Sequence, residues 1–213
     1  MIDVIPAVLP RTAKEFREAA ERFASAGVHR AHLDICDGNF VPMKTIGGYK
    51  ELRGLGGPLM WDVHLMVRRP EKSLGHWTGI PAADRLLFHV ESTDRFADIA
   101  AAVRSTGRRA GAAVNPETPL SALEDVRGYA DIVQFMTVIP GAQGRQFLPW
   151  VLENIAKFRR DYPDVPVAVD GGVTPDTAGG CVHAGASILV SGSFVLKSPD
   201  IARAMQEIQD SVE

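Results

Sequence analysis

Four side chains in this sequence have the types and spacing of a cation-binding set. His32 and Asp34 stand two residues apart in Ala31-His32-Leu33-Asp34, a spacing that puts both on one face of an extended strand. His64 sits in the apolar frame Asp62-Val63-His64-Leu65-Met66, and Asp170 closes a short aliphatic run just ahead of Gly171-Gly172. Two imidazoles and two carboxylates suit Zn2+ first, and also Mn2+, Fe2+ or Co2+. A lone buried histidine is more often a hydrogen-bonded core residue than a ligand. Polar residues at the ends of three predicted strands put the two readings level.

The remaining titratable groups read as structural. His89 and Glu91, in Phe88-His89-Val90-Glu91, are read as satisfied polar groups of a strand end in preference to partners of the cation set. Asp62 shares the parity of His64 one layer deeper and is assigned a structural hydrogen-bonding role. Cys36 lies near the candidate site but has no matched base, so it is read as a small apolar core residue. His29, His76 and His183 fall on predicted helices or loops, as surface or packing residues.

Glycine supplies a second signal. Three predicted strands are followed by Pro140-Gly141-Ala142-Gln143-Gly144-Arg145-Gln146, by Gly171-Gly172-Val173, and by Gly192-Ser193. Glycine lets backbone N–H groups approach an anion closely, and a helix N-terminus adds positive potential. Each motif alone is weak, but three in consecutive loops point to a phosphate cradle. No Gly-x-Gly-x-x-Gly opens a helix after the first predicted strand, and no Walker-type Gly-Lys-Ser/Thr is present, so nucleotide-binding fingerprints have no support.

These residues need a frame, and the chain supplies one as alternating strands and helices. Apolar, β-like runs occupy residues 4–9, 30–35, 59–67, 85–90, 110–114, 132–138, 165–169 and 187–190. Segments with helical character follow, the clearest at 13–25, 94–105, 148–160, 174–183 and 199–210, with a short one over 120–126 and another opening at Pro70-Glu71, while a loop containing Gly38 and Pro42 follows the second run. Strand–helix alternation implies βαβ units and a parallel sheet. Eight such units predict a single α/β domain over residues 1–213, a closed (β/α)8 TIM barrel, with an open doubly wound sheet as the rival. In a barrel the polar strand ends converge on one mouth, where such enzymes place their sites.

Composition bounds the partners. The 213 residues carry 23 Lys and Arg against 26 Asp and Glu, a formal charge of −3. That balance gives no bulk attraction to nucleic acid or to an anionic membrane. Two cysteines, Cys36 and Cys181, make no disulfide scaffold. No apolar run reaches the roughly 18–20 residues of a membrane span. The start lacks a basic region ahead of its short apolar stretch, as a signal peptide would require. A cytoplasmic protein is the expectation.

The runs HLDICDGNFVPMKTIG, WDVHLMVRRPE, FHVEST, VNPETPL, MTVIPGAQGRQF, VDGGVTPDTA and LVSGSFV together resemble ribulose-phosphate 3-epimerase, over nearly the whole chain. The resemblance implies a homo-oligomeric barrel enzyme with a divalent metal, usually zinc, and a phosphorylated ketose as substrate. It implies His32, Asp34, His64 and Asp170 as metal ligands, with Asp34 and Asp170 also the acid–base pair. Met66 would line the site near the reacting carbon, beside His64. Gly141, Ala142, Gln143 and Gly144, with Gly171, Gly172, Gly192 and Ser193, match the phosphate-binding loops. The implied chemistry is 3-epimerisation, D-ribulose 5-phosphate to D-xylulose 5-phosphate or a related ketose phosphate. Two carboxylates would move the proton through a metal-stabilised enediolate.

The sequence departs from the family pattern at several positions. Pro6-Ala7 stands where the family carries Pro-Ser, Met43 replaces an Asn, and Ile139 replaces another. Arg145 is absent from the usual loop and reads equally as an anion contact or a solvated side chain. A hexulose 6-phosphate is therefore the alternative sugar. A decarboxylase or aldolase on the same barrel is disfavoured, because His32-Leu33-Asp34-Ile35-Cys36-Asp37 lacks the Lys of the Asp-x-Lys-x-x-Asp pattern. A non-catalytic binding protein is disfavoured by retention of the full candidate ligand set.

Overall fold

The computed structural model describes residues 2–141 and 144–213. Ala142 and Gln143, both expected in the phosphate cradle, lie outside the described residues. Eight parallel strands close into a barrel in chain order: β1 (Asp3–Val8), β2 (Arg30–Cys36), β3 (Met60–Met66), β4 (Ala83–His89), β5 (Arg109–Val114), β6 (Ile132–Met136), β7 (Val167–Asp170) and β8 (Ile188–Ser191). Strand β1 pairs with both β2 and β8, which completes the ring. The closed barrel, and not the open sheet, is the fold.

Helices coat it: α1 (Ala13–Ser25), α2 (Tyr49–Gly54), α3 (Leu74–Trp77), α4 (Phe96–Arg104), α5 (Val151–Asp161), α6 (Pro175–His183), α7 (Ser193–Lys197) and α8 (Ile201–Asp210). Helix α1 shows how local sequence dictates them. Thr12 caps it by accepting from the Glu15 N–H at 3.1 Å. Phe16, Ala19, Ala20 and Phe23 then recur on one face, and all are buried.

Two connections differ from the sequence expectation. The loop after β2 contains α2, which its Gly47-Gly48 start disguises. After β5, where a short helix over 120–126 is the expectation, only 3-10 turns at Leu120–Leu123 and Arg127–Tyr129 form. Pro116 and Pro119 withhold backbone donors there, and Gly128 lowers helix propensity further.

Alternation divides the side chains. Outward residues such as Leu33, Trp61, Val63 and Phe88 pack against the helices in the main core, while a smaller cluster including Ile5, Ala7, Leu87, Ala168 and Val190 fills the barrel. The barrel floor is polar. Asp62 accepts from Arg30 at 2.6 Å and from Arg85 at 2.7 Å, and Asp84 pairs with Arg30 and Arg109. Asp62 thus has the structural role its depth suggested. The inward parity that places Asp62 at the floor carries His64 and then Met66 towards the mouth.

Candidate active site at the barrel mouth

His32 and Asp34 point inward from β2, His64 from β3 and Asp170 from the end of β7. One ligand atom from each lies within 4.8 Å of every other, and all four residues are buried. His32 Nε2 stands 3.5 Å from Asp34 Oδ1 and 3.7 Å from Asp170 Oδ2. His64 Nδ1 stands 3.0 and 3.4 Å from the same two oxygens. Tetrahedral ligands about 2.0–2.1 Å from a common centre are separated by roughly 3.3–3.4 Å. The four distances straddle that value.

The chemistry of the donors agrees. Neither ring nitrogen of the fully buried His32 has a hydrogen-bond partner among the described residues, and an unpaired buried polar group is costly. A cation facing Nε2 removes half of that cost. Burial alone would raise the Asp34 carboxyl, but the adjacent His32 and His64 rings outweigh it and hold it below the usual carboxylate range. Burial alone would lower His64; the Asp170 and Asp34 carboxylates outweigh it and raise the imidazolium to about 9. Two carboxylates held at one point thus already attract positive charge.

Neighbouring side chains fix these groups. Gln134, inward from β6, donates through Nε2 to Asp170 Oδ2 at 3.0 Å. Sequence reasoning missed it, although a single amide in Ile132-Val133-Gln134-Phe135-Met136 was the available signal. His89 and Glu91 are satisfied polar groups of the mouth, as expected, and they also reach the His/Asp set: His89 Nε2 lies 3.0 Å from His64 Nε2 and His89 Nδ1 lies 3.2 Å from Glu91 Oε2. Burial pushes His89 below the ordinary imidazole range. Asp37 ties two mouth loops together, its carboxylate accepting from the N–H groups of Asn39, Phe40 and Arg68 at 2.8–2.9 Å. Cys36 is buried beside Met66 and Val41, as a small core residue should be.

A cleft opens above the His/Asp set. Asp34 and Asp170 form part of its lining, Met66 and Met136 add apolar surface, and Gly141, Gly144, Gly171, Gly172, Gly192 and Ser193 form the rest of the relevant wall. All expected loop residues that are described therefore meet at one place. Gly171 has φ 114°, and a Cβ there would lie 2.5 Å from Val138, so only glycine fits. Arg145 reaches the same cleft, while Ala7 and Leu9 face it without a hydroxyl. Ile139 is 45% exposed and is not among the described residues that line the cleft.

The barrel, with its buried His/Asp set beneath a glycine-walled cleft, defines an enzyme of the (β/α)8 class with a candidate cation centre at the C-terminal mouth. The solved structure of a 3-hexulose-6-phosphate synthase shares that fold, with a TM-score of 0.71 at 18% identity over 100% of both chains. The family model for the ribulose-phosphate 3 epimerase family matches residues 3–196, and the chain belongs to that family of isomerases. Ribulose-phosphate 3-epimerase of Bacillus subtilis is 33% identical over 99% of this chain and 100% of the relative. That of Synechocystis is 34% identical over 99% and 94%, and that of Escherichia coli K12 is 30% identical over 98% and 95%. No helix among the described residues is long and apolar enough to cross a membrane.

Proposed function

We propose that this chain interconverts the C3 epimers of a phosphorylated 2-ketose, D-ribulose 5-phosphate and D-xylulose 5-phosphate in the first place, and that residues 1–213 act as one catalytic domain. The observation that supports it most is the meeting of Asp34 and Asp170, from strands on different sides of the barrel, at one buried point under the cleft. Inverting one carbon needs a proton-transfer group on each of its faces. One carboxylate begins ionised and takes the proton from C3. The other begins protonated and returns a proton to the opposite face, and the roles exchange in the reverse direction. Asp34, kept ionised by its histidine neighbours, fits the base for one of the two epimers.

His32 Nε2, Asp34, His64 Nδ1 and Asp170 would hold the divalent cation. Zn2+ is the proposed ion, and Mn2+, Fe2+ or Co2+ suit the same donors. When bound, it supplies Lewis-acid stabilisation of the negative charge that develops on the substrate oxygens beside C3. Met66 would shield the reacting carbon from water. Backbone N–H groups of Gly141, Gly144, Gly171, Gly172, Gly192 and Ser193 would receive the phosphate, with Ala142 and Gln143 completing the first loop. Gly171 and Gly172 (φ 114° and 66°) carry no Cβ to shield their backbone N–H groups, as close approach of an anion requires. Phosphate binding remote from C3 would orient the sugar for proton transfer. Arg145 adds a cation to the same cleft. Ala7 and Leu9 offer the sugar no hydroxyl contact on their side of the cleft, and a hexulose 6-phosphate is the alternative to be tested against the pentulose. Free, buried Cys36 and Cys181 fit a reducing, cytoplasmic setting, and homo-oligomeric assembly belongs to the same proposal.

Incubation of the Zn2+-supplied protein with D-ribulose 5-phosphate in deuterated water tests this reading. Xylulose 5-phosphate forms and deuterium enters C3 of both epimers, as read by NMR. A pentulose pool that stays unlabelled at C3 refutes the pentulose version. The same assay with a hexulose 6-phosphate decides the second sugar.

A further inference from the structure

We infer that His89 and Glu91 are positioning residues that determine which nitrogen of His64 is offered to the cation centre, an inference that rests on the cation reading above. The groups form an unbroken chain. The Asn115 N–H and the Thr118 hydroxyl both donate to Glu91 Oε1, at 2.8 and 2.5 Å. Glu91 Oε2 faces His89 Nδ1 at 3.2 Å, and His89 Nε2 faces His64 Nε2 at 3.0 Å. His64 Nδ1 faces Asp34 Oδ1 at 3.0 Å. His64 and His89 are both fully buried. Phe40 covers His89, with its ring centroid 4.7 Å away.

Hydrogen-bond polarity runs one way along this chain. An ionised carboxylate only accepts, so His89 must carry its proton on Nδ1, facing Glu91. A neutral His89 then has a lone pair on Nε2. Two imidazole nitrogens 3.0 Å apart need one proton between them, and that proton must sit on His64 Nε2. His64 thus keeps its hydrogen on Nε2, and the proton that Nδ1 donates to Asp34 Oδ1 without a cation is the one a cation displaces, which leaves the Nδ1 lone pair directed towards the cation centre. With the opposite polarity, Nδ1 would carry hydrogen and could not ligate. A carboxylate behind a ligating histidine commonly fixes its tautomer in this way. Here the carboxylate acts through a second histidine.

Glu91→Gln reverses the polarity with little change of shape. The Asn115 N–H is an obligate donor, so the new amide must keep its oxygen at the Oε1 position and turn its NH2 towards His89 Nδ1. His89 then donates from Nε2, and His64 is driven to the Nδ1–H form. Zn2+ affinity, measured by competition with a chromophoric chelator, falls about 10–100-fold while the thermal midpoint of the metal-free protein is retained. Thr118→Val, which leaves the obligate donor in place, binds Zn2+ within about twofold of the unmodified protein. Two-bond 1H–15N correlation spectra of Zn2+-loaded protein labelled in histidine give a readout that needs no variant. They show His64 protonated at Nε2 and ligated through Nδ1. Equal Zn2+ affinity in Glu91→Gln, or ligation through His64 Nε2, overturns the relay and leaves the epimerase reading standing. Failure of the unmodified protein to bind Zn2+ overturns both. If Glu91→Gln does not fold, the spectra alone decide.

Discussion

Asp34→Asn and Asp170→Asn each lower kcat by at least about 10³-fold, since each removes a group expected to move a proton in the transition state. Each also removes a candidate ligand oxygen from the place where His32 and His64 converge, so the loss exceeds that of an isolated acid or base. The residual chemistry is one-sided. A variant that keeps only Asp170 exchanges, at most, the C3 hydrogen of the epimer that presents it to Asp170, and the Asp170 variant behaves as its mirror image. Separate deuterium wash-in experiments started from each pure epimer read this directly. Retention of interconversion by either variant removes that residue from the acid–base pair. The neighbours explain why Asn is the informative substitution. It preserves the volume beside His64 Nδ1 and, at position 170, leaves an oxygen able to accept from Gln134 Nε2, so packing is held while proton transfer is lost.

Removal of the cation has the second large effect. Treatment with a strong chelator abolishes turnover, and stoichiometric Zn2+ restores it. Stability changes in parallel, because a ligand that binds only the folded chain stabilises it by about 4 kcal/mol at a thousandfold excess over Kd. For a chain of this length that corresponds to a rise in the unfolding midpoint of about 8–16 °C. The rise comes from relief of a local conflict. Two carboxylates face each other across the site, and His32 has no hydrogen-bond partner at either ring nitrogen among the described residues. Undiminished turnover after complete chelation, with no change in the midpoint, contradicts the cation reading.

Much of the candidate site's geometry is legible in the sequence, for a physical reason. A parallel strand buried on both faces is expected to be aliphatic, so His32, Asp34 and His64 stand out against Leu33, Ile35, Val63 and Leu65. Their period-two spacing already aims them to one side. The loop glycines were legible too, since no other residue fits a position such as Gly171. The supporting residues were harder to read. Gln134 is one amide in an apolar strand, and its partner Asp170 is 36 residues away. His89 and Glu91 read as ordinary strand-end polars because the contact that gives them a role, His89 to His64, depends on β3 and β4 lying side by side with His64 opposite Leu87. Helix α2 and the turns after β5 are illegible in the sequence because glycine and proline obscure local propensity there and packing on the barrel decides the outcome.

The proposed chemistry depends on one cation held jointly by side chains of β2, β3 and β7. Anomalous diffraction at the zinc edge from Zn2+-loaded crystals tests this most directly. The predicted result is one strong peak per chain, about 2.0–2.2 Å from His32 Nε2, His64 Nδ1 and a carboxylate oxygen of each of Asp34 and Asp170. A fully loaded protein whose anomalous peak lies away from these four side chains would contradict it.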